Sequence, residues 1–523
     1  VSADQPARAV LVGRDLVLGF DADGTLVDAV HPTAGPWLAR SGEVEVTSGG
    51  ETVPLGRPVV GVDADEVEVE RTGGGLRVLV RHAVEQAWTV RLVVVNESSD
   101  ERVLDDVRLA WRPAPGTVAT ALAAGAAGAY AVQPVTGDGP LLVGRLRGGT
   151  QAGVDATGLL LGRLVLPAGH RVAVQWRWEV VGAPARADPA GELPRTPWLE
   201  QGQGVVLAAG PDVAVVAPGL EVEVGEDSVE VTADVVGPAT VELRSARGTL
   251  SYALAWAPDL DELVDAEVEA LLTGRTTPAG TVRLPDAAAA LLVQDAVRRR
   301  SVGTPDVAAD ALELAAGVLA EEVDEQARGA GATGSDPLAL ALLAREPDRA
   351  AGPATLAGLE TASAGLLAAA APAPGMGLAG VAVALARLRA GLAPDRVAAH
   401  LAALRDASSP LDEAGLELAV LLRPPGADEP LLAGLRRLGA TLGAGLPGRV
   451  LPEPSLEPLG RAATLLALVD EPTGQRLRRG WGVSASELAR RSAAQVRARV
   501  DAAPEEPASR RALAWLVLGR PPG

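Results

Sequence analysis

Cysteine is absent from all 523 residues, which removes disulfides, thiolate metal sites, iron–sulfur clusters and cysteine nucleophiles together. Aromatic side chains are nearly as scarce, with nine Trp, two Tyr and one Phe, so any core must be built mainly from Leu, Val and Ala. Positive charge is short as well: 47 basic residues stand against 67 acidic ones, for a formal net charge of -20. Such a chain repels nucleic-acid phosphate and anionic lipid, and no basic stretch interleaved with aromatics overcomes this, so nucleic acid is not an expected partner. Apolar runs such as AVALAR and TLLALV are cut by charge or Pro well before the roughly 20 residues that span hydrocarbon, so membrane insertion is not expected either. No basic leader precedes VSADQPARAV, and cytoplasm is the expected compartment unless a signal has been removed.

What is present is an ordinary apolar fraction of 48%, which argues for a globular chain, punctuated by 60 Gly and 40 Pro. Two periods divide it. Up to Trp256, runs such as GEVEVTS, DEVEVER, LRVLVRH, WTVRLVVVNES and HRVAVQWRWEVV alternate apolar and polar residues, as strands with one buried face do. No long helical segment separates them, so an antiparallel sandwich fits better than a parallel sheet. From residue 259 the apolar spacing becomes helical. DLDELVDAEVEALLTG predicts a connecting helix, and eleven Ala/Leu-rich segments then follow, over 286–300, 305–325, 336–346, 353–370, 377–391, 394–405, 411–422, 429–440, 458–470, 484–501 and 507–518. The expected fold is a large N-terminal antiparallel β-sandwich over residues 1–256, a linker with its helix over 257–285, and an all-α, α/α-toroid-like unit over 286–523.

Motifs that carry chemistry are few. There is no phosphate loop, dinucleotide fingerprint, HExxH pair or calcium loop, and His31, His82, His170 and His400 lack close helical partners, so neither a cofactor nor a metal is expected. The Gly-rich strings LAAGAAGAY and RLRGGTQAG lack the lysine and context of a nucleotide cradle and read as loops or close packing. Asp21, Asp23, Gly24 and Thr25 resemble the DxDGT nucleophile motif of aspartyl-phosphate phosphatases, but more sheet follows where a parallel α/β domain should be, so FDADGTLVD reads as a turn. Arg298, Arg299 and Arg300 suit a helix C-terminus. Asp286, Asp306, Asp336, Asp395, Asp412, Glu413 and Glu453 stand at helix boundaries, where an acid is usually a cap but could also line the mouth of a toroid. Glycoside hydrolysis would need two such carboxyl groups within about 10 Å across an accessible pocket. Trp176 and Trp178 share one face of a strand and fit core packing; with Trp198 they are the candidate ligand surface, alongside Trp37, Trp88 and Trp111 as other N-terminal candidates.

LVGRDLVLGFDADGTLVDAVHPTAGPW and LVVVNESSDERVLDDVRLAW resemble the opening of the glucoamylase-like and glucan-debranching carbohydrate enzymes, over about the first 115 positions. The resemblance implies a β-sandwich followed by an α/α toroid, with a Glu general acid and a Glu or Asp partner in the toroid; no motif assigns either role to a numbered residue. After Trp256 the only aromatics are Trp481 and Trp515, and Tyr, Phe and Asn do not occur, so the helical half lacks the platforms and hydrogen-bonding side chains that sugars want. It is also about one helix short of six pairs. The reading is therefore a divergent, inactive relative: a noncatalytic binding or scaffold protein with a protein or carbohydrate partner, the alternative being a glycoside hydrolase acting on an α-glucan or related oligosaccharide.

Overall fold

A computed structural model describes residues 9–125, 128–187, 196–246, 248–273, 283–327, 336–345, 353–369, 371–423, 426, 428–443, 446 and 448–520. The 274–282 part of the expected linker, and two residues of LAAGAAGAY, lie outside them. The architecture is an antiparallel β-sandwich followed by helices.

One long sheet is the spine of the first half. Its strands run in the order Val59–Val62, Glu66–Gly73, Leu76–Val84, Trp88–Asn96, Arg171–Val181, Leu141–Gly148, Ala129–Pro134, Thr117–Gly125, Gly248–Ala257, Gly237–Ser245 and Ala214–Val216. Alternation decides its faces: in Leu76–Val84 every second residue is buried, and in Trp88–Asn96 Trp88, Val90, Leu92 and Val94 face inward. These pack against a four-stranded sheet over Ala9–Ser41 and a five-stranded sheet that includes Val44–Ser48 and Asp106–Ala110. The structure differs here from a single sandwich. The far end of the spine buries a second core, around Leu141, Val143, Val241 and Trp256, against a three-stranded sheet built from Val205–Ala208, Glu221–Val224 and Ser228–Thr232.

Large rings are concentrated where they fill most volume. Trp178 lies 5.3 Å from Trp88 and 4.9 Å from Trp111, centroid to centroid, and all three are buried. His82 sits against the same cluster, its Nδ1 accepting from Trp88 Nε1 at 3.3 Å, and complete burial pushes its pKa down to about 3.

Thirteen helices follow among the described residues: α1 (Leu260–Thr273), α2 (Ala287–Arg299), α3 (Pro305–Ala327), α4 (Pro337–Arg345), α5 (Pro353–Leu367), α6 (Met376–Arg389) and α7 (Asp395–Asp406), then α8 (Glu413–Leu421), α9 (Asp428–Thr441), α10 (Leu456–Ala467), α11 (Glu471–Trp481), α12 (Ala485–Ala502) and α13 (Pro507–Leu518). Helices α2, α4, α6, α8, α10 and α13 form an inner ring, with α13 packed back onto α2. Helices α8 and α10 share one buried apolar cluster, Leu416, Ala419, Leu465 and Leu466 among its members, and Arg461 of α10 reaches Glu413 of α8. Ala287–Val293 of α2 and Ala512–Val517 of α13 are buried on every side, as a helix enclosed by others must be. Helices α1, α3, α5, α7, α9 and α12 lie outside them, so the ring has six pairs rather than fewer. The connecting helix α1 is the outer partner of α2, and α11 escapes sequence periodicity because EPTGQRLRRGW is short, polar and contains Gly474. No helix among the described residues is long and apolar enough to cross a membrane.

The two halves are stitched together by backbone and side chains. Arg449–Leu451, a strand from the helical half, pairs antiparallel with Thr117–Gly125. Gln133 Nε2 donates to the Ala440 carbonyl at 3.1 Å, and Arg497 NH1 donates to the Pro258 carbonyl at 2.8 Å while also pairing with Glu200.

Two glycines of one strand give a direct test of the tryptophan cluster. A Cβ on Gly144 would lie 2.7 Å from the Trp178 ring, whereas one on Gly148 would meet nothing within 4 Å. Gly144→Ala is expected to cost about 1–3 kcal/mol in urea unfolding, and Gly148→Ala less than about 0.5 kcal/mol.

Candidate functional site at the mouth of the helical ring

Inner helices run parallel, and their N-termini gather at one end of the ring. Asp336, just before α4, accepts from the Leu338 backbone N–H at 3.1 Å. Both its oxygens also accept from Arg511 of α13, at 2.9 Å each, a two-pronged pairing that fixes the guanidinium plane. Arg511 turns its remaining donors to Glu457 of α10 at 2.8 and 2.9 Å. Glu457 also accepts from Trp515 Nε1 at 3.3 Å and Arg461 NH1 at 3.2 Å, and Arg461 Nε reaches Glu413 of α8 at 2.8 Å. One connected network thus ties α4, α8, α10 and α13.

Charge states follow from this wiring. Burial opposes ionisation of Glu457, but the hydrogen bonds and charge of Arg511, with help from Trp515 and Arg461, outweigh it and hold its pKa below the usual value. The Arg511 pKa is raised, first by its hydrogen bond to Asp336 and then by Glu457, against the opposing effect of burial. Glu417, one turn beyond Glu413 on α8, behaves differently. It is 1% exposed, and its oxygens accept from the backbone N–H groups of Gly375 and Gly377 at 2.7 and 3.1 Å, at the start of α6. Burial, reinforced by the Glu413 charge, lifts its pKa to about 7 despite those bonds and Arg461.

Beside the network an open pocket of about 390 Å³ lies between α8, α9 and α10, with Leu416, Leu438 and Leu459 among its apolar walls and Asp412, Glu413 and Arg437 as its charges. Arg437 has no side-chain partner among the described residues.

Of the boundary acids, Asp336 and Glu413 enter the network. Asp286 caps α2, accepting from Ala289 N at 2.8 Å, and contacts Arg510 at 3.4 Å. Asp306 and Asp395 are exposed in the first turns of α3 and α7, and Asp412 is exposed before α8. Glu453 lies 3.4 Å from Arg499, away from the network. Glu417, Glu457, Arg461 and Arg511 were not singled out from sequence. Glu417 is the charge inside the apolar run LELAVLL, and Glu457 and Arg461 are four apart, the two signals that could have found them.

The other candidates are structural in placement. Trp176 and Trp178 are each 1% exposed within the sandwich core, and Trp176 Nε1 donates to Gln151 at 2.9 Å; their faces are taken up by packing rather than presented to solvent. Trp198 is 8% exposed beneath the Arg449 guanidinium, 4.6 Å from its ring centroid, and is not near the other two. Asp21 Oδ1 accepts from the backbone of Asp23 and Thr25 at 2.9 Å each, and Gly24 has φ +72°, so this motif is a turn between strands. Arg298 and Arg299 occupy the last turn of α2, where both hold the buried Asp295. Among the described residues no group of three or more His, Asp or Glu is placed to hold a metal ion.

No protein-family model matches the chain, and no curated protein sequence matches it. Among solved structures it is similar to a polysaccharide lyase, at 12% identity, over 92% of this chain and 93% of that one, with a TM-score of 0.69. It is also matched with a glycoside hydrolase family 81 protein from Clostridium thermocellum, at 10% identity over 99% of this chain and 87% of that one, and with the periplasmic domain of Thermotoga maritima YidC, at 14% identity over 34% and 86%; TM-scores of 0.19 and 0.21 carry no argument. The fold is similar to that of this polysaccharide lyase along nearly the whole chain, and the likeness does not single out the glucoamylase-like branch.

Glu417 gives the site a pH signature. Between about pH 4 and pH 7 the folded chain keeps a proton that the unfolded chain has released. The stability from this group is therefore fully present at low pH and is lost as pH rises through 7, by on the order of 3 kcal/mol. Urea midpoints measured across that range should show the loss, and Glu417→Gln should flatten it.

Proposed function

We propose that this chain is a noncatalytic binding or scaffold protein built on a carbohydrate-enzyme architecture, in which residues 1–256 form the sandwich unit, 257–285 connect, and 286–523 form the helical unit. The observation that carries the reading is the saturation of the ring-mouth charges. Asp336 and Glu457 are both paired with Arg511, Glu413 is paired with Arg461, and Glu417, whose pKa is raised by burial, is sealed from solvent with both oxygens engaged. Glycosidic hydrolysis needs a protonated carboxyl in contact with the leaving oxygen, and Glu417, the ring-mouth carboxyl whose pKa is raised, is not among the residues that line the pocket. Elimination needs a base, and the ring-mouth network contains neither His nor Tyr; His400, the one histidine after Trp256, lies on the outer helix α7. The ligand seat in this reading is the pocket between α8, α9 and α10, where Arg437 is ready to meet an acidic group.

The hydrolase alternative keeps one observation in its favour: Glu413 and Glu457 share Arg461, so two carboxylates converge beside a pocket. Incubation with α-glucans and with uronate polysaccharides separates the readings. The expected outcome is no new reducing ends and no absorbance from unsaturated uronate, with Glu413→Gln and Glu457→Gln lowering the melting temperature only. Turnover of any of these polymers that is abolished by Glu413→Gln or Glu457→Gln would overturn the noncatalytic reading.

A further inference from the structure

On the solvent face of the spine sheet, cross-strand register sets arginine against arginine. Arg91 is directly opposite Arg81, and Arg177 is directly opposite Arg145. Thr89 and Gln175 are the next positions on the same face, opposite Arg177 and Arg91 respectively. Like charges directly across a strand pair are destabilising, and a purely structural surface on a chain of net charge -20 has acids in excess with which to avoid them.

Some of these cations are already answered. Arg81 pairs with Glu66, Arg177 with Glu179 at 2.8 Å, and Arg145 donates to the Ala187 carbonyl. Arg91 and Arg147 are exposed and have no side-chain partner among the described residues. Arg147 and Arg177 line a concavity of about 290 Å³, together with Thr89, Gln175, Gln86 and a single acid, Glu85. The composition of the concavity is mostly hydrogen-bonding and cationic, without an aromatic ring.

We propose that this sheet face binds an acidic polysaccharide, its carboxylates taken by Arg91, Arg147 and Arg177 and its hydroxyls by Thr89, Gln86 and Gln175. Every one of the 47 basic residues in the chain is arginine, whose planar fork matches a carboxylate with two parallel hydrogen bonds. Single-stranded nucleic acid would want stacking platforms, and the tryptophans of these strands, Trp88, Trp176 and Trp178, point the other way into the core. The surface is separate from the ring-mouth pocket, so the inference does not depend on what that pocket holds.

Binding of the whole chain to polygalacturonate, with neutral dextran and single-stranded DNA as comparison polymers, tests it. Saturable binding to polygalacturonate that weakens with added salt is expected, with none to dextran and much weaker binding to DNA. The double variant Arg91→Ala/Arg147→Ala, whose side chains support no other group, should melt as the parent does and bind at least about tenfold more weakly. Arg396→Ala, exposed on the outer helix α7 and outside both surfaces, should bind as the parent does. Absence of binding, binding unchanged in the double variant, or DNA bound as tightly as polygalacturonate would each overturn the proposal.

Discussion

Six parallel helices cannot converge without bringing their positive ends together. Each inner helix presents unpaired backbone N–H groups and about half a positive charge at its N-terminus, and the ring mouth collects them. Carboxylates are the natural counterweight: Asp286 before α2, Asp336 before α4, and Glu413 and Glu457 in the first turns of α8 and α10. At α6, whose first residues carry no acid of their own, Glu417 caps by hydrogen bonding instead, its oxygens accepting from the backbone N–H groups of Gly375 and Gly377. Once so many acids are gathered, arginines stand between them: Arg461 and Arg511 link Glu413, Glu457 and Asp336, and Arg510 separately holds Asp286 with Glu267. Convergent carboxylates at a toroid mouth are thus accounted for by the helices themselves, without calling on a substrate.

The same economy governs packing. With twelve aromatic residues available, the chain places Trp88, Trp111 and Trp178 in one cluster and leaves the ring to be filled by Ala and Leu. Small side chains let inner helices approach closely. A Cβ on Gly460 would come within 2.8 Å of the Ala512 backbone, and one on Gly377 within 2.8 Å of Glu417. Trp515 is the exception, a large ring beside Gly375 that fills the ring interior and gives Glu457 a further donor.

Much of this was legible in the residues. Alternation in LRVLVRH and WTVRLVVVNES marked the strands, and the change of period after Trp256 marked the start of the helices, because both patterns report directly which side of an element is buried. Asp336 and Glu413 were visible as boundary acids. Arg511 and Glu457 were not, since 54 residues separate them and their pairing exists only through the packing of α10 on α13. The three-residue strand Arg449–Leu451 is too short for any period, and the second β core depends on which end of a long sheet a three-stranded layer covers.

The sequence alone determined the class of each half, the absence of thiol chemistry and the poverty of aromatics in the helices, all consequences of composition and local period that no packing could alter. Tertiary structure alone decided that the connecting helix joins the ring, that the boundary acids of different helices meet, and that Trp176 and Trp178 face the core. It also decided that Arg91 stands opposite Arg81. The reason is physical: period reports the environment of one element, whereas a charge network or a cross-strand pair depends on register and orientation between elements distant in the chain.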